Sequence, residues 1–451
     1  MKLTIKEIAQ VLGLPESSDE RELTTVEFDS RKITEGALFI PLAGERDGHD
    51  FVQAAKDNGA IATLWSKKES AEINGMTVFA VENTLAAFQK LAEYYLKKIG
   101  PRVVGITGSN GKTTTKDMTE SVLAQKFKTY KTQGNYNNDI GLPYTVFHTP
   151  EDCEILILEM GMDRFGEISE LTNLAHPEVA AITLIGEAHI ENLGSREGIA
   201  KAKIEILEGL KKDGLLLIPE NEPLLKPLVA GISQTLKTFG EKGEISGKII
   251  EETPTETTFE IAGEEFTIPV LGSYNVNNAL IAYGIGKYFG LTIQQIKKGL
   301  AEFQLTKNRT QWLHAGNGAK ILSDVYNANP TAMGLVLDTV GNLATEGRKL
   351  AVLADMLELG PDSSAMHAAM YQHLSSAFSV VFLYGTKMHA LAQEVKSNLP
   401  EVEVQYFSKE ERPQLIQAIQ KELLPTDMIV LKGSNGMGLN EVVEELQKAQ
   451  K

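Results

Sequence analysis

The stretch that decides the fold is Gly105-Ile106-Thr107-Gly108-Ser109-Asn110-Gly111-Lys112-Thr113-Thr114-Thr115, which directly follows the pair Val103-Val104. It predicts a short buried strand, a glycine-rich turn and then a helix over residues 116–126. In such a turn several backbone N–H groups and the helix N-terminus point at one place, and that geometry binds phosphate. Lys112 is placed to reach the β- and γ-phosphates of a nucleotide, and the Thr113 hydroxyl is placed to ligate Mg²⁺.

The loop departs from the strict pattern Gly-x4-Gly-Lys-Thr in one respect. Ile106 stands at the first glycine position and Gly105 lies one residue early. An ordinary glycine-rich turn between strand and helix is the alternative interpretation. We favour the nucleotide site because three glycines and the run Gly-Lys-Thr-Thr meet at one strand–helix joint.

Composition and charge narrow the class of protein. A chain of 451 residues predicts about three domains. The formal net charge of −16 disfavours nucleic acid as a partner, because nucleic-acid phosphates reward basic surfaces. The single cysteine, Cys153, excludes an internal disulfide. No apolar run approaches the ~20 residues of a membrane span, and the first residues lack the apolar core of a signal peptide. We therefore expect a cytoplasmic protein, and a monomer.

The hydrophobic pattern divides the chain into three α/β units, which we place at residues 1–98, 99–311 and 312–451. In the first unit, the pattern predicts strands over 37–40 and 76–81 and a helix over 85–98 that ends at Gly100-Pro101. In the second, strands predicted over 102–107, 154–159, 179–184 and 214–219 alternate with helices over 113–126 and 197–210. This alternation indicates a parallel sheet covered on both faces, and residues 245–270 suggest an antiparallel addition. In the third, strands are predicted over 319–324, 349–353, 380–384 and 428–431.

Polar residues at the ends of the central strands are candidates for chemistry, because ligands of open parallel sheets bind at the carboxyl ends of the strands. Glu159 ends one strand and offers an oxygen ligand for Mg²⁺. His189 follows the next strand, although a lone histidine is more often structural. Lys201 and Lys203 share a predicted helix. Such a pair is usually a solvated face, but a lysine turned toward a Mg²⁺ site can be carbamylated and become an anionic oxygen ligand.

Two further clusters are polar beyond what a turn needs. Asn135, Asn137, Asn138 and Asp139 suit the recognition of hydroxyls, amides or phosphate, with a loop of Asx turns as the alternative. In the third unit Asp324-Val325-Tyr326-Asn327-Ala328-Asn329-Pro330 follows a predicted strand, and Arg309 sits in the preceding linker. An arginine in a hinge and an aspartate at a strand end can close on a nucleotide from its far side.

Together these motifs resemble those of the Mur ligases, the ATP-dependent amide-bond ligases of peptidoglycan precursor synthesis. Residues 107–114 look like the phosphate loop of that family. Four more stretches are similar to the member that adds D-alanyl-D-alanine to UDP-N-acetylmuramoyl-tripeptide: residues 134–143, 159–162, 326–330 and 354–360. Ala354 and Asn435 depart from the family pattern, which often has Gly and Arg at those places.

The resemblance implies three α/β domains: a small N-terminal domain for the UDP end, a central parallel-sheet P-loop domain for ATP and Mg²⁺, and a Rossmann-like C-terminal domain that closes over ATP and binds the dipeptide. It implies ATP contacts from Gly108, Ser109, Asn110, Gly111, Lys112, Thr113, Thr114, Asn278, Arg309 and Asp324. For the UDP substrate it implies Ser30, Arg31, Gly48, His49, Asp50, Asn135, Asn137 and Asn138.

By the same resemblance the metal ligands are Thr113, Glu159, His189 and, as a carbamate, Lys203, whereas Lys201 remains possible if the helix has the other register. Lys112, Lys203, His189 and Arg309 are then the catalytic residues. The dipeptide region comprises Tyr326, Asn327, Asn329, Asp355 and Glu358. Both lysine and diaminopimelate are compatible with the sequence as the third residue of the tripeptide.

Three rival interpretations stay open at this level. A folylpolyglutamate-type ligase shares the phosphate loop but would lack the polar cluster 135–143 and the UDP-type first unit. The ligase that adds the third amino acid shares that first unit, but residues 326–330 and 355–360 favour the dipeptide-adding enzyme. A P-loop switch without ligase activity needs neither a hinge arginine nor a second-substrate cluster.

Overall fold

The computed structural model describes residues 1–67, 73–306 and 309–448. Its strands form a small parallel sheet, a large parallel sheet with an antiparallel addition, and a mixed sheet, in that order along the chain. This is the three-domain α/β architecture expected from the sequence. Within these residues no helix combines the length and the hydropathy that a membrane span requires.

The N-terminal domain is built on a four-stranded parallel sheet of order β1-β2-β3-β4. The first helix begins where Thr4 and Glu7 form a reciprocal capping box, and the last helix ends at Gly100 in the left-handed conformation. The elements are α1 (Ile5–Leu12), β1 (Val26–Glu27), β2 (Leu38–Phe39), α2 (Val52–Asp57), β3 (Ala62–Trp65), β4 (Thr77–Ala80) and α3 (Thr84–Ile99).

The first half of the central domain contains the phosphate-loop strand and its neighbours. Its elements are β5 (Arg102–Thr107), α4 (Lys112–Leu123), β6 (Thr129–Lys131), α5 (Gly141–Phe147), β7 (Ile155–Glu159), α6 (Glu167–Ala175), β8 (Val179–Ile182), α7 (Ile190–Leu193) and α8 (Arg196–Ile204). The strand predicted over 179–184 ends at Ile182, and the next two residues lie beside the start of the phosphate loop, where the Thr183 N–H donates to the carbonyl of Thr107 and the carbonyl of Leu184 accepts from the Ser109 N–H.

The second half completes the sheet and adds the antiparallel piece. Its elements are β9 (Leu215–Pro219), β10 (Thr235–Gly240), β11 (Ile245–Ser246), β12 (Lys248–Glu252), β13 (Thr257–Ile261), β14 (Glu264–Ile268), α9 (Ser273–Tyr288) and α10 (Ile293–Glu302). The seven-stranded sheet has the order β11-β10-β9-β8-β5-β7-β6 and every pair in it is parallel. Strands β12, β13 and β14 form the expected antiparallel addition.

The C-terminal domain has a six-stranded sheet of order β15-β16-β20-β17-β18-β19. Its elements are β15 (Gln311–His314), β16 (Lys320–Asp324), α11 (Pro330–Asn342), β17 (Lys349–Ala354), α12 (Ser363–Ala369), β18 (Phe378–Tyr384), α13 (Met388–Asn398), β19 (Glu403–Phe407), α14 (Arg412–Glu422), β20 (Met428–Lys432) and α15 (Leu439–Gln447). The sequence did not predict β15, which pairs antiparallel with β16 at the edge of an otherwise parallel sheet.

The domain limits predicted from the sequence stay predictions. They fall in the last turn of α3 and at the first residue of β15.

The hydrophobic core joins the first two domains extensively and the third to a smaller extent. Helix α3 packs on α5, where Phe88 and Tyr95 both stack on Phe147 with ring centroids 5.5 Å apart. One cluster of buried side chains therefore runs from Leu3 in the N-terminal domain to Val229 in the central domain. The C-terminal domain buries two clusters, one on each face of its sheet, and one of them includes Leu271 of the central domain, with Ile190 and Tyr274 packed against it. The architecture thus consists of a fused pair of domains and a third domain attached through a short linker.

Candidate active site

The phosphate loop lies at the carboxyl end of β5 and depends on glycine at two positions. Gly108 and Gly111 have φ angles of +148° and +81°, which favour glycine. A Cβ atom on Gly108 would lie 1.8 Å from Thr183 Oγ1, and one on Gly111 would lie 2.6 Å from Asn278 Oδ1. Lys112, the first residue of α4, donates from Nζ to the carbonyl of Gly108 at 2.9 Å. The loop thus curls around its own lysine, as a cradle for phosphate requires.

Glu159, at the end of β7, lies beside the phosphate loop. Its side chain is buried, and each of its carboxylate oxygens accepts a hydrogen bond. It accepts hydrogen bonds from Thr113 Oγ1 at 3.0 Å and Asn137 Nδ2 at 2.8 Å. The ammonium of Lys116, buried on α4, is 3.9 Å away. Burial lowers the pKa of Lys116, while the Glu159 carboxylate opposes that shift. The predicted pair Thr113 and Glu159 therefore meets at one point, with Lys116 as a third member that sequence reasoning missed.

His189 adopts a left-handed conformation with φ of +62°, a strained backbone for a residue other than glycine. Its Nδ1 atom lies 2.9 Å from Asp163 Oδ1 and 2.7 Å from Glu358 Oε2, without a well-oriented hydrogen bond to either. Burial lowers the pKa of His189, and the Asp163 carboxylate opposes that shift. The ligand atoms of these three side chains lie within 4.8 Å of one another. Two carboxylates that face one imidazole nitrogen suit a divalent cation.

The register of helix α8 separates the two candidate lysines. Lys203 is buried, with 2% of its surface exposed, whereas Lys201 on the same helix faces solvent. Burial holds the pKa of Lys203 well below its ordinary value, and the charge of Lys112 lowers it further. The geometry therefore presents Lys203, not Lys201, to the site.

These groups surround one cavity of about 420 Å³ between the central and C-terminal domains. Its walls come from the phosphate loop, the polar cluster that precedes α5, the loop after β7, and the start of the C-terminal domain. The lining residues include Ser109, Lys112, Thr113, Asn135, Asn137, Asn138, Asp139, Glu159, Asp163, His189, Lys203, Arg309, Tyr326 and Asn327.

A second, narrower cavity of about 70 Å³ lies beside the phosphate loop, with Asn110, Gly111, Thr114, Asn278, Arg309, Asp324 and Lys432 in its walls. Asn278 already bonds Thr115 and Asn275 through its amide, so its side chain is held in place. Lys432, a residue that sequence reasoning missed, donates to Asp324 Oδ2 at 2.5 Å. The two cavities share Asn110, Gly111, Arg309 and Asn327.

Arg309 enters this region from the linker. Its guanidinium stacks on the ring of Tyr326 at 4.0 Å from the centroid, and Nη2 lies 3.4 Å from Thr113 Oγ1. Arg309 of the linker thus contacts both Tyr326 of the C-terminal domain and Thr113 next to the phosphate loop.

The residues predicted for the UDP end in the N-terminal domain do not line either cavity. Ser30 accepts through its carbonyl from Asn58, and the exposed Arg31 pairs with Asp29 at 2.8 Å. His49 is held between Asp47 and Ser66, and Gly48 packs on the backbone of Leu42. Asp50 pairs with Lys67 at 3.1 Å. Of the residues predicted for the UDP substrate, those that line the large cavity are Asn135, Asn137 and Asn138 of the polar cluster.

The predicted dipeptide residues separate into three groups. Tyr326 and Asn327 line the large cavity, and Glu358 faces His189. Asn329 caps helix α11 and accepts from Asn110 Nδ2 at 3.2 Å. Asp355 lines neither cavity and accepts instead from the backbone N–H groups of Lys387 and Met388, both at 3.0 Å, at the start of α13.

Asp163 is the most prominent site residue that the sequence did not single out. It lies on the loop after β7, four residues beyond Glu159, and its side chain is largely exposed. The only signal available was its place after a strand end that already carried a candidate ligand.

Comparison with known proteins defines the class. Family models match in order along the chain: the Mur ligase family catalytic domain over residues 22–96, the Mur ligase middle domain over 106–286, and the Mur ligase glutamate ligase domain over 308–435. The chain therefore belongs to the Mur ligase family.

Within that family the chain is similar over its full length to one kind of enzyme. UDP-N-acetylmuramoyl-tripeptide–D-alanyl-D-alanine ligase of Bacillus subtilis is 40% identical over 99% of this chain and 98% of its own. The crystal structure of MurF from Acinetobacter baumannii superposes with a TM-score of 0.88 at 27% identity, covering 98% of both chains. MurF ligase from Thermotoga maritima, solved in complex with ADP, gives a TM-score of 0.83 at 26% identity, covering 94% of this chain and 97% of that one.

Proposed function

We propose that this chain joins D-alanyl-D-alanine to UDP-N-acetylmuramoyl-tripeptide with consumption of ATP, in the synthesis of the peptidoglycan precursor. The observation that best supports this proposal is the large cavity, where the phosphate loop, the polar cluster Asn135–Asn138 and the pair Tyr326 and Asn327 face one another. A nucleotide, an acidic peptide substrate and an incoming amine can meet there. The full-length similarity to ligases of this activity supports the same conclusion.

The first step activates the carboxylate of the tripeptide. An oxygen of that carboxylate attacks the γ-phosphorus of ATP, the bond to the β-phosphate oxygen breaks, and an acyl phosphate and ADP result. Little covalent chemistry is left to the protein, so catalysis consists of positioning and charge neutralisation. Lys112 in the phosphate loop and Arg309 from the linker supply positive charge on two sides of the transferring group.

Mg²⁺ is the cofactor that the donor set fits. Thr113 and Glu159 on one side and His189 and Lys203 on the other would hold it, with Lys203 contributing as a carbamate. When bound, the ion supplies positive charge next to the phosphate oxygens. The uncharged amine that burial favours at Lys203 is the form that reacts with carbon dioxide.

The second step forms the amide. The free amine of D-alanyl-D-alanine attacks the acyl carbon, phosphate leaves with its bonding electron pair, and the amine loses a proton. Water would hydrolyse the acyl phosphate. The C-terminal domain must therefore cover the cavity for as long as the acyl phosphate exists. Arg309 contacts Thr113 next to the phosphate loop and stacks on Tyr326 of the C-terminal domain, which supports such a covered arrangement. ATP, the UDP-linked tripeptide and the dipeptide are all water-soluble, which supports a cytoplasmic location.

The decisive experiment measures phosphate release from ATP by the purified chain. UDP-N-acetylmuramoyl-tripeptides ending in lysine or in diaminopimelate are supplied with and without D-alanyl-D-alanine, and products are identified by mass. We expect sustained release only with ATP, a tripeptide and the dipeptide together, and loss of release in Lys112→Ala. Release that needs no amine would indicate a nucleotide hydrolase and overturn the proposal.

A further inference from the structure

The segment of residues 185–191 connects the phosphate loop with the C-terminal domain. At one end, Gly186 exchanges hydrogen bonds with the Ser109 hydroxyl of the phosphate loop, at 2.9 and 3.3 Å. At the other end, the N–H of Glu191 donates to the carbonyl of Glu358 at 3.1 Å. His189, a candidate metal ligand, lies between these contacts. The position of this segment therefore affects both the nucleotide and the metal region.

Glu187, in the middle of the segment, binds the N-terminus of a helix that belongs to the other domain. Its carboxylate accepts from the backbone N–H of Thr331 at 3.0 Å and from the Thr331 hydroxyl at 2.8 and 3.0 Å. Thr331 is the second residue of α11, a helix whose cap position is already filled by Asn329. A carboxylate at this place satisfies an orphan N–H and complements the helix dipole.

The contact between Glu187 and Thr331 is shielded and specific. The Glu187 side chain is 12% exposed, and it forms a long ion pair with Arg196 at 3.9 Å. Arg196 is itself engaged with the carbonyl of Ile185 and with Glu222. A Cβ atom on Gly186 would lie 3.4 Å from Thr331 Cβ, so the two domains are in close contact here. Shielded hydrogen bonds to a charged group contribute more than exposed ones.

The residues just before α11 carry the contacts of the C-terminal domain with the phosphate loop and the linker. Asn329 contacts Asn110 of the phosphate loop, and Tyr326 stacks on Arg309. If the first turn of α11 is fixed against the central domain, both contacts are fixed with it. The sequence pattern did not predict an interdomain role for Glu187 or Thr331.

We propose that Glu187 and Thr331 form a latch that holds the C-terminal domain closed on the central domain and so positions Tyr326 and Arg309 for ligation. Neither residue touches a reacting atom, so both are positioning residues. The kinetic consequence rests on the proposed ligase activity, whereas the closed arrangement itself does not. Weakening the latch reduces the closed fraction and hence the apparent affinity for the dipeptide, the substrate of the second step.

The test uses the full chain with Glu187→Ala, Thr331→Val and the double variant. Thr331→Ser keeps the hydroxyl and is the conservative rescue, and Glu197→Gln removes an exposed carboxylate of α8 as the matched control. Dyes on cysteines introduced at the exposed Lys212 and Ser397 report the distance between the two domains, since the native Cys153 is buried. The distance is measured with ATP alone, and steady-state kinetics are measured with all substrates.

We expect Glu187→Ala and Thr331→Val each to raise the KM for D-alanyl-D-alanine about tenfold and to lower the closed fraction seen with ATP. The double variant should be no worse than Glu187→Ala, because both changes remove one interaction. Thr331→Ser and Glu197→Gln should behave as the unmodified protein. An active wild-type chain with unchanged dye distance and unchanged KM in both single variants would overturn the latch. A wild-type chain without amine-dependent release would instead overturn the proposed function.

Discussion

Lys203 is the residue at which chemistry and burial are most closely linked. A charged ammonium in that position would be desolvated and would lie near the charge of Lys112, and both effects lower its pKa. An uncharged amine that opens to a cavity with Glu159 and His189 is well suited to become a carbamate. The residue pattern alone left Lys201 and Lys203 open, because a difference of two positions on a helix decides which side chain faces inward, and the family resemblance pointed to Lys203. The structure decides this by the register of α8.

For Lys203→Ala we expect ligation to fall by about 10²-fold or more, because the site loses a ligand group, and partial recovery when formate or acetate is added. Lys201→Ala, on the exposed face of the same helix, is the matched control and should keep its activity. Phosphate release with all substrates is the measurement, and intact mass reports the carbamate. An active Lys203→Ala variant would remove this residue from the site.

Single residues also show where sequence reasoning ends. Glycine-rich loops and polar residues at strand ends follow from local rules, so the phosphate loop, Glu159 and His189 were recognisable. Asp163 and Lys116 enter the site because separate elements pack together, and the local pattern marks Asp163 only weakly, by its place after the strand that ends at Glu159. Asp355, a residue predicted for the dipeptide region, accepts hydrogen bonds from backbone N–H groups at the start of helix α13, a contact that the sequence did not indicate.

The elements of this fold were predictable where their pattern was strong. Buried strands such as β5, β7 and β20 are continuous apolar runs, and the structure confirms them. Strand β15 is short and half-buried, and its antiparallel pairing with β16 depends on a contact that its own sequence does not encode. Sheet edges are therefore the part of the fold that the pattern predicts least well.

One element, the loop over residues 355–358, depends on a buried histidine. His367 of α12 is fully buried, its Nε2 accepts from the N–H of Met356 at 2.9 Å, and its Nδ1 lies 2.7 Å from the carbonyl of Ser363. This pattern requires the neutral ring. Burial lowers the pKa of His367, although the Ser363 carbonyl opposes the shift. The loop that carries Glu358 is thus tied to the protonation state of His367.

We expect acid to destabilise the C-terminal domain through this histidine. Below the ordinary pKa of about 6.5 the unfolded chain binds a proton that the folded ring resists, so stability is complete above that pH and falls as the pH drops toward the lowered pKa. His367→Gln should lose about 1–3 kcal/mol at pH 7.5 and should lose less than the unmodified protein between pH 7.5 and 5.5. Urea unfolding at the two pH values measures this. His389→Gln, at an exposed histidine of α13, is the control, and an equal acid loss in the unmodified protein and His367→Gln would contradict the prediction.

At the scale of the whole molecule, the distribution of hydrophobic core indicates which part moves. The N-terminal and central domains share one core, so they behave as a single body that carries the UDP region and the phosphate loop. The C-terminal domain shares a smaller apolar contact with the central domain, at Leu271, Ile190 and Tyr274, and it makes polar contacts through Asn329, Thr331 and Glu358. A small and partly polar interface separates at lower cost than an extended shared core. We therefore expect closure to be a motion of the third domain about the linker that carries Arg309.

This division predicts a selective effect of Arg309→Ala. The substitution removes a positive charge that the closed domain arrangement holds beside Thr113, so acyl-phosphate formation should slow by about 10²-fold. Binding of the UDP substrate should be almost unchanged, because that end of the substrate is assigned to the fused pair of domains. Rapid-quench measurement of ADP formation and calorimetric titration with the UDP-tripeptide separate the two quantities. Loss of UDP-substrate binding in this variant would show that Arg309 acts at a different place from the one that its stacking on Tyr326 indicates.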